Sequence, residues 1–275
     1  MSGILYVVGT PIGNLGDFSP RAVETLEKCD FIAAEDTRVT LKLLNRFGIN
    51  TPMISYHEHN RFQKGEEIVN RIIAGESCAI VTDAGMPAIS DPGEDLVALC
   101  HERGVKVQAV PGPSAFVSAL AVSGMSVGRF TFEGFLSVNK KSRREHLDSL
   151  VNETRTMVFY EAPHKVSQTL KDMYAVFGNR EITIVREITK IYEEVIRTCL
   201  EDAVRDYGND ELKGELVLII AGAEIQKEEF TTEQAVELAR EILFSGKSAA
   251  DAAKTAAKKT GVKKGDIYRL LVSEE

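Results

Sequence analysis

The chain has no tryptophan, and its four cysteines, Cys29, Cys78, Cys100 and Cys199, form no CxxC pair and no zinc-finger spacing. No HExxH occurs. No metal site is therefore expected, and buried, reduced thiols are the expected state of the cysteines. Long apolar runs are missing as well. Leu216 to Ala221 is among the longest and is strand-sized, far below the roughly 20 residues of a membrane span. The first residues contain no basic segment followed by an apolar run, so no signal peptide is expected and the cytoplasm is the expected location. The basic excess of a non-specific nucleic-acid binder is absent too, because 33 Lys+Arg stand against 41 Asp+Glu for a net charge of −8. What remains is ordinary: 275 residues, 44% hydrophobic and 27% charged. Such a chain can bury a large core without disulfides or metals and suits one large domain or two ordinary ones.

Short apolar runs alternate with helix-period segments. Ile4 to Val8, Phe31 to Ala34, Ala79 to Val81 and Val105 to Val110 read as buried strands. Ser19-Pro20 starts a helix, with Ser as N-cap and Pro at the first helical position. A second helix runs from about Thr37 to Gly48. Ile68, Val69, Ile72 and Ile73 form the face of a third, and Asp91-Pro92 opens a fourth that Gly104 closes. A second series follows, with strands at Phe130 to Phe135, Thr156 to Tyr160, Ile182 to Val185, Glu194 to Leu200 and Leu216 to Ala221. Pro163 to Phe177 reads as a helix, and Ser137 to Arg144 as a loop carrying Lys140, Lys141, Arg143 and Arg144. The alternation implies α/β architecture with mainly parallel sheets. Two α/β domains are expected, 1–123 and 124–228, followed by a helical module, 229–275. In that module Thr231 and Ser248 cap helices and Lys264 to Val272 forms a third. From Lys247 to Arg269 there are seven basic residues and two acids. This concentration against a negative whole suits a helix-turn-helix-like grip on nucleic acid; a solvated helical tail that packs on a neighbouring chain is the alternative.

Several polar stretches follow strands, where open α/β sheets bind ligands. Val7 to Asp17 reads VVGTPIGNLGD, neither GxGxxG nor a P-loop, which disfavours ordinary dinucleotides and triphosphates. Thr82 to Gly93 reads TDAGMPAISDPG, a stiff loop in which Asp83 is placed to accept hydrogen bonds from a ligand's amine or hydroxyls. Val110 to Ala115 reads VPGPSA. Three such loops predict one small-molecule pocket. Glu35-Asp36-Thr37-Arg38 ends the second strand and is either a structural ion pair or part of a site. In the second half, Phe159 to Lys165 and Arg186 to Lys190 again put polar groups at strand ends. His57 and His59 read as a solvated loop.

The ordered set GTPIGNLGD, EDTR, TDAGMPAISDPG, VPGPSA, FYEAPHK and REITKIYEE closely resembles the ribosomal RNA branch of the tetrapyrrole methylases, over essentially the whole chain. The resemblance implies two α/β domains with S-adenosylmethionine in the cleft between them, and a homodimer. It implies 2′-O-methylation of a cytidine ribose in 16S rRNA of the small ribosomal subunit. By the same resemblance Pro11, Asp83, Ala84, Gly85, Ala88, Ser114, Ala115, Tyr160 and Glu161 map to cofactor contacts. Porphyrin-modifying members carry Gly-Pro-Gly-Asp in the first loop and Gly-Asp-Pro in the central one. Pro-Ile-Gly-Asn and Asp-Ala-Gly-Met-Pro replace them here, which favours the RNA branch.

A 2′-hydroxyl is a poor nucleophile, so a positioned base or a stabilising cation is expected to assist it. The candidates are Asp36, Glu187 and Lys190, with Arg38 as an orienting charge; catalysis by placement alone is the alternative. RNA phosphates would be held by Lys140, Lys141, Arg143 and Arg144 and by Lys258, Lys259, Lys263 and Lys264. Methylation of a tetrapyrrole or of a modified protein side chain, and non-catalytic service in ribosome assembly, are the competing readings.

Overall fold

A computed structural model describes residues 3–208, 212–224 and 230–273. Five strands, β1 (Ile4–Val8), β2 (Phe31–Ala34), β3 (Met53–Ser55), β4 (Cys78–Val81) and β5 (Lys106–Val110), form one sheet in the order β3-β2-β4-β1-β5. All four pairings are parallel. The strands read as unbroken apolar runs because both faces are covered. On one face Leu5, Phe31 and Ala33 pack with Ile68 and Ile72 of α3 (Arg61–Ile73) and Leu96 of α4 (Glu94–Glu102). On the other Val8, Ile32 and Ala34 meet Ala22 and Leu26 of α1 (Pro20–Lys28) and Leu44 of α2 (Thr37–Phe47). Ser19 caps α1 by accepting the Ala22 N–H, and Gly48 ends α2 in the left-handed region at φ 72°.

The second sheet holds β6 (Phe130–Phe135), β7 (Thr156–Glu161), β8 (Glu181–Arg186), β9 (Glu194–Cys199) and β10 (Leu216–Ile220) in the order β6-β7-β10-β8-β9. Only β6 and β7 run parallel; β10 is antiparallel to both neighbours, and β8 to β9. The expectation of mainly parallel pairing is therefore corrected for this half. β9 follows β8 after a short loop and pairs directly back on it, which antiparallel geometry alone permits. One face packs on α7 (Val166–Phe177) and α8 (Leu200–Tyr207), the other on Ala119 and Leu120 of α5 (Ala115–Ser123). Thus α5, which a boundary at Ser123-Gly124 groups with the first sheet, covers the second.

Two further expectations change. Lys140, Lys141, Arg143 and Arg144 lie not in a loop but in helix α6 (Lys140–Ser149). Asn139 caps that helix, accepting from the Lys141 and Ser142 N–H groups. Charge pairs one turn apart, such as Arg144 with Asp148, support it. Helix α4 begins at Glu94, because Gly93 sits at φ 142°, which breaks the helical path after Pro92. Strand β3, of three residues, and helix α8, of eight, are too short to stand out in the sequence.

The chain divides into two compact units, Met1–Ala223 and Glu224–Glu275. The second consists of α9 (Thr232–Phe244), α10 (Ala249–Thr260) and α11 (Lys264–Ser273) around Ala239, Ala252, Ala256, Ile267 and Leu271. Thr231 and Gln234 form a reciprocal capping box, and Ser248 caps α10. Lys254, Lys258, Lys259, Lys263 and Lys264 are exposed. The expected boundary at residues 228 and 229 lies outside the described residues.

Candidate active site

Strand order explains why three distant loops meet. β4, β1 and β5 are neighbours, so the loops leaving their carboxyl ends converge. They are stitched together. Thr10 and Gly85 exchange backbone hydrogen bonds of 2.9 and 3.2 Å, and the Thr10 hydroxyl donates to the Thr82 carbonyl at 3.1 Å. Gly9 and Gly112 touch backbone to backbone: a Cβ at position 9 would lie 2.6 Å from the Gly112 Cα. Any side chain at either position would force these loops apart.

A cavity of about 430 Å³ opens beneath them, between the first sheet's loops and the second sheet. Of the residues that the resemblance maps to cofactor contacts, Asp83, Ala84, Gly85, Ser114, Ala115, Tyr160 and Glu161 line it. Pro11 and Ala88 do not. Pro11 lies between Thr10, pinned to Gly85, and Ile12, which does face the cavity. Ala88 sits in the left-handed region at φ 67°, folded inside its own loop against Gly93. The Tyr160 hydroxyl accepts the Phe116 N–H at 3.2 Å and so ties β7 to the first turn of α5. Ser114 is the N-cap of that helix but makes no side-chain cap bond.

The cavity's first wall is acidic. Glu35 accepts from the Thr82 hydroxyl at 2.6 Å. Burial, then the charge of Glu35, raises Asp83 above the usual carboxylate range. The same two causes push Asp91 up to about 6. Glu35 and Asp91 belong to motifs already singled out, but nothing local marks them as facing a pocket. Glu215, Leu216 and Val217 also line it. Reasoning from carboxyl strand ends misses them because β10 is antiparallel: its amino end, Leu216, pairs with Glu161 and Arg186 at the carboxyl ends of β7 and β8.

The four catalytic candidates stand outside this lining. Asp36 is the N-cap of α2; it accepts the Arg38 N–H at 2.8 Å and two guanidinium bonds of 3.0 and 2.6 Å. That arginine holds the Asp36 carboxyl well below the usual range. The Arg38 side chain is 87% exposed and is not part of the cavity lining. Lys190 donates to Glu187 at 2.9 Å and to Glu215 at 3.1 Å. Glu215 lines the cavity, so the ammonium sits one residue behind its wall. The Lys190 bond lowers the Glu187 pKa. Burial pulls the Lys190 ammonium down, but Glu187 and Glu215 outweigh it and hold its pKa above the ordinary lysine value. Glu187 and Thr189 take positive φ, 52° and 66°, so this loop is strained. The cysteines take no part: burial pushes Cys29 and Cys100 up to about 11.

The sequence profile of the tetrapyrrole (corrin/porphyrin) methylases matches residues 4–204, and the chain belongs to that family. Within it, the chain is similar to proteins named ribosomal RNA small subunit methyltransferase I. The one from Synechocystis is 44% identical over 275 residues, covering 99% of both chains. Those from Xylella fastidiosa and Bacillus subtilis are 45% and 41% identical over 271 residues, with 97% of this chain covered in each and 98% and 93% of theirs. A crystal structure of uroporphyrin-III-C-methyltransferase from Thermus thermophilus superposes with a TM-score of 0.55 at 15% identity, over 79% of this chain and 94% of that one. That likeness establishes the shared fold.

Proposed function

We propose that this protein transfers a methyl group from S-adenosylmethionine to RNA of the small ribosomal subunit. One observation carries the reading. The family profile ends at residue 204, whereas the likeness to the ribosomal RNA methyltransferases runs through 99% of the chain and takes in the basic three-helix unit. A tetrapyrrole needs no such unit; an RNA strand is held by basic side chains against its phosphates.

The residues lining the cavity fit the cofactor. Its volume is within the range of small-molecule sites. Gly85, at φ 92°, brings its backbone to the cavity wall, and a Cβ there would meet Ile12 at 3.3 Å. The carboxylates of Glu35, Asp83 and Asp91 suit a ligand that bears ammonium, sulfonium and ribose hydroxyl groups. Ala84 and Ala115 leave room, and Tyr160 fixes the opposite wall.

When bound, the cofactor supplies an electrophilic methyl. The chain must bring the RNA hydroxyl in line with it, and such placement can account for most of a rate enhancement. Asp36 and Glu187, held low by their cationic partners, are weak proton acceptors. Lys190 stays protonated and can stabilise the oxygen while the hydroxyl proton passes to solvent water. Asp36 and Arg38 hold the turn that aims Glu35 at the cavity. The finer assignments belong to this proposal: a cytidine 2′-hydroxyl as acceptor, the cytoplasm as location, and a homodimer. Exposed Val117 and Val122 on α5, and Ile191, 95% exposed, support a partner surface. Among the described residues no helix is long and apolar enough to cross a membrane.

The test is transfer of labelled methyl to purified small subunits, free rRNA and porphyrinogens. Label in ribosomal RNA at a ribose is the expected result. Label in the porphyrinogen alone, or in nothing, overturns the reading.

A further inference from the structure

The segment from Glu161 to Lys165 is a wall with two sides. Ala162 and Pro163 face the large cavity, His164 and Lys165 face a second one of about 200 Å³, and Glu161 borders both. Nothing in the reading above uses the second cavity. Its polar lining is Ser137, Arg143, Glu161, His164, Lys165, Gln168 and Thr169.

This lining is held in shape. Asp172 accepts from Arg143 Nε at 2.7 Å and from Gln168 Nε2 at 2.9 Å. Arg143 Nη1 donates to the carbonyls of Ser137 and Val138 at 3.2 and 3.3 Å, which ties the turn after β6 to α6. The Arg143 side chain is only 12% exposed. The acids in the wall are already engaged. Asp172 is bound by Arg143, and Glu161 accepts the Thr169 hydroxyl at 2.5 Å and the Ala162 N–H at 2.8 Å. Neither His164 nor Lys165 joins an ion pair among the described residues. A hydroxyl, an imidazole, an ammonium and a guanidinium thus meet in one recess with their nearby carboxylates satisfied. That donor set matches an anion carrying several oxygen acceptors, and a phosphodiester is such an anion.

We propose that the second cavity receives a backbone phosphate of the RNA strand whose ribose enters the first. The inference rests on the methyltransferase reading and adds to it a register-fixing contact. Phosphate contacts set the position of a strand on a protein without reading its sequence. Here the contact and the methyl site share one wall, so a phosphate held by His164 and Lys165 places a neighbouring ribose at the cavity mouth.

The test uses the full chain with His164→Ala and Lys165→Ala combined, and Lys165→Arg as the conservative control. Binding of small-subunit rRNA is measured across a salt series, cofactor binding by calorimetry, and methyl transfer in parallel. The double variant should bind the RNA about tenfold more weakly, and its log–log salt slope should fall by about 1. Lys165→Arg should keep the wild-type slope, and cofactor affinity should be unchanged in every variant, which certifies the fold. Unchanged RNA affinity and slope in the double variant, with methyl transfer by the wild type intact, overturn the subsite and leave the methyltransferase reading standing. Loss of slope in the double variant while the wild type transfers no methyl to RNA upholds the phosphate contact and overturns the methyltransferase reading.

Discussion

The side chain of Lys190 lies across Gly13: a Cβ at position 13 would sit 2.5 Å from the Lys190 Cγ and 3.0 Å from its Cε. A glycine of the first sheet's loop thus leaves the space through which a lysine of the second sheet's loop reaches Glu187 and Glu215. Gly13→Ala should push that lysine aside. The expected result is a lower single-turnover methylation rate with cofactor affinity retained. Lys190→Ala should cost about 10²-fold, the scale of losing one donor to a developing oxyanion. The two substitutions should not add, because both remove one contact. Full additivity in rapid-quench kinetics of the double variant would sink this relationship.

Cofactor binding should fail when the cavity is filled. Gly85→Arg places a long side chain where the backbone is at φ 92° and Ile12 is 3.3 Å from the new Cβ. That residue also costs backbone strain, so Ala84→Trp is the cleaner companion: Ala84 lines the cavity and is exposed. Both should abolish the calorimetric signal for S-adenosylmethionine, and Ala84→Trp should melt near the wild-type temperature. Wild-type affinity in Ala84→Trp would mean that the cofactor sits elsewhere.

Asp91 should make the ligand-free protein less stable as pH rises. Its pKa is raised in the folded chain from 3.8 to about 6, so the fold favours the protonated carboxyl. That contribution is complete below the unfolded value and is lost as pH climbs through about 6. Asp91→Asn should remove this dependence and raise the melting temperature above pH 6. Parallel melting profiles for wild type and variant between pH 4 and 7.5 would show that Asp91 is not held protonated.

Removing residues 231–275 should leave cofactor affinity intact, because every residue lining the cavity lies in the first unit. RNA affinity should fall, and its salt dependence should flatten as phosphate contacts disappear. Charge reversal at Lys258, Lys259, Lys263 and Lys264 should do the same without truncation. Equal salt slopes for the intact and shortened chains, measured by filter binding, would remove this unit as an RNA grip.

Local chemistry determined much of this protein. Ser19, Thr231 and Ser248 cap their helices because a side-chain oxygen next to a free N–H does so wherever it occurs. Unbroken apolar runs such as Phe31–Ala34 became strands covered on both faces. The loop motifs carried the family and seven residues of the cavity lining. Tertiary structure decided the rest, because it depends on which strands become neighbours. Only the order β4-β1-β5 joins loops 75 residues apart at Thr10 and Gly85. Only the antiparallel insertion of β10 turns the amino end of a strand, Glu215 to Val217, toward a ligand. Asp83 and Asp91 were visible as acids, but their raised pKa values arise from burial beside the charge of Glu35. The support of Lys190 by Gly13 joins two sheets and leaves no periodic trace along the chain. Hydrogen-bonding propensity acts over three or four residues, whereas a cavity is made of residues that only packing brings together.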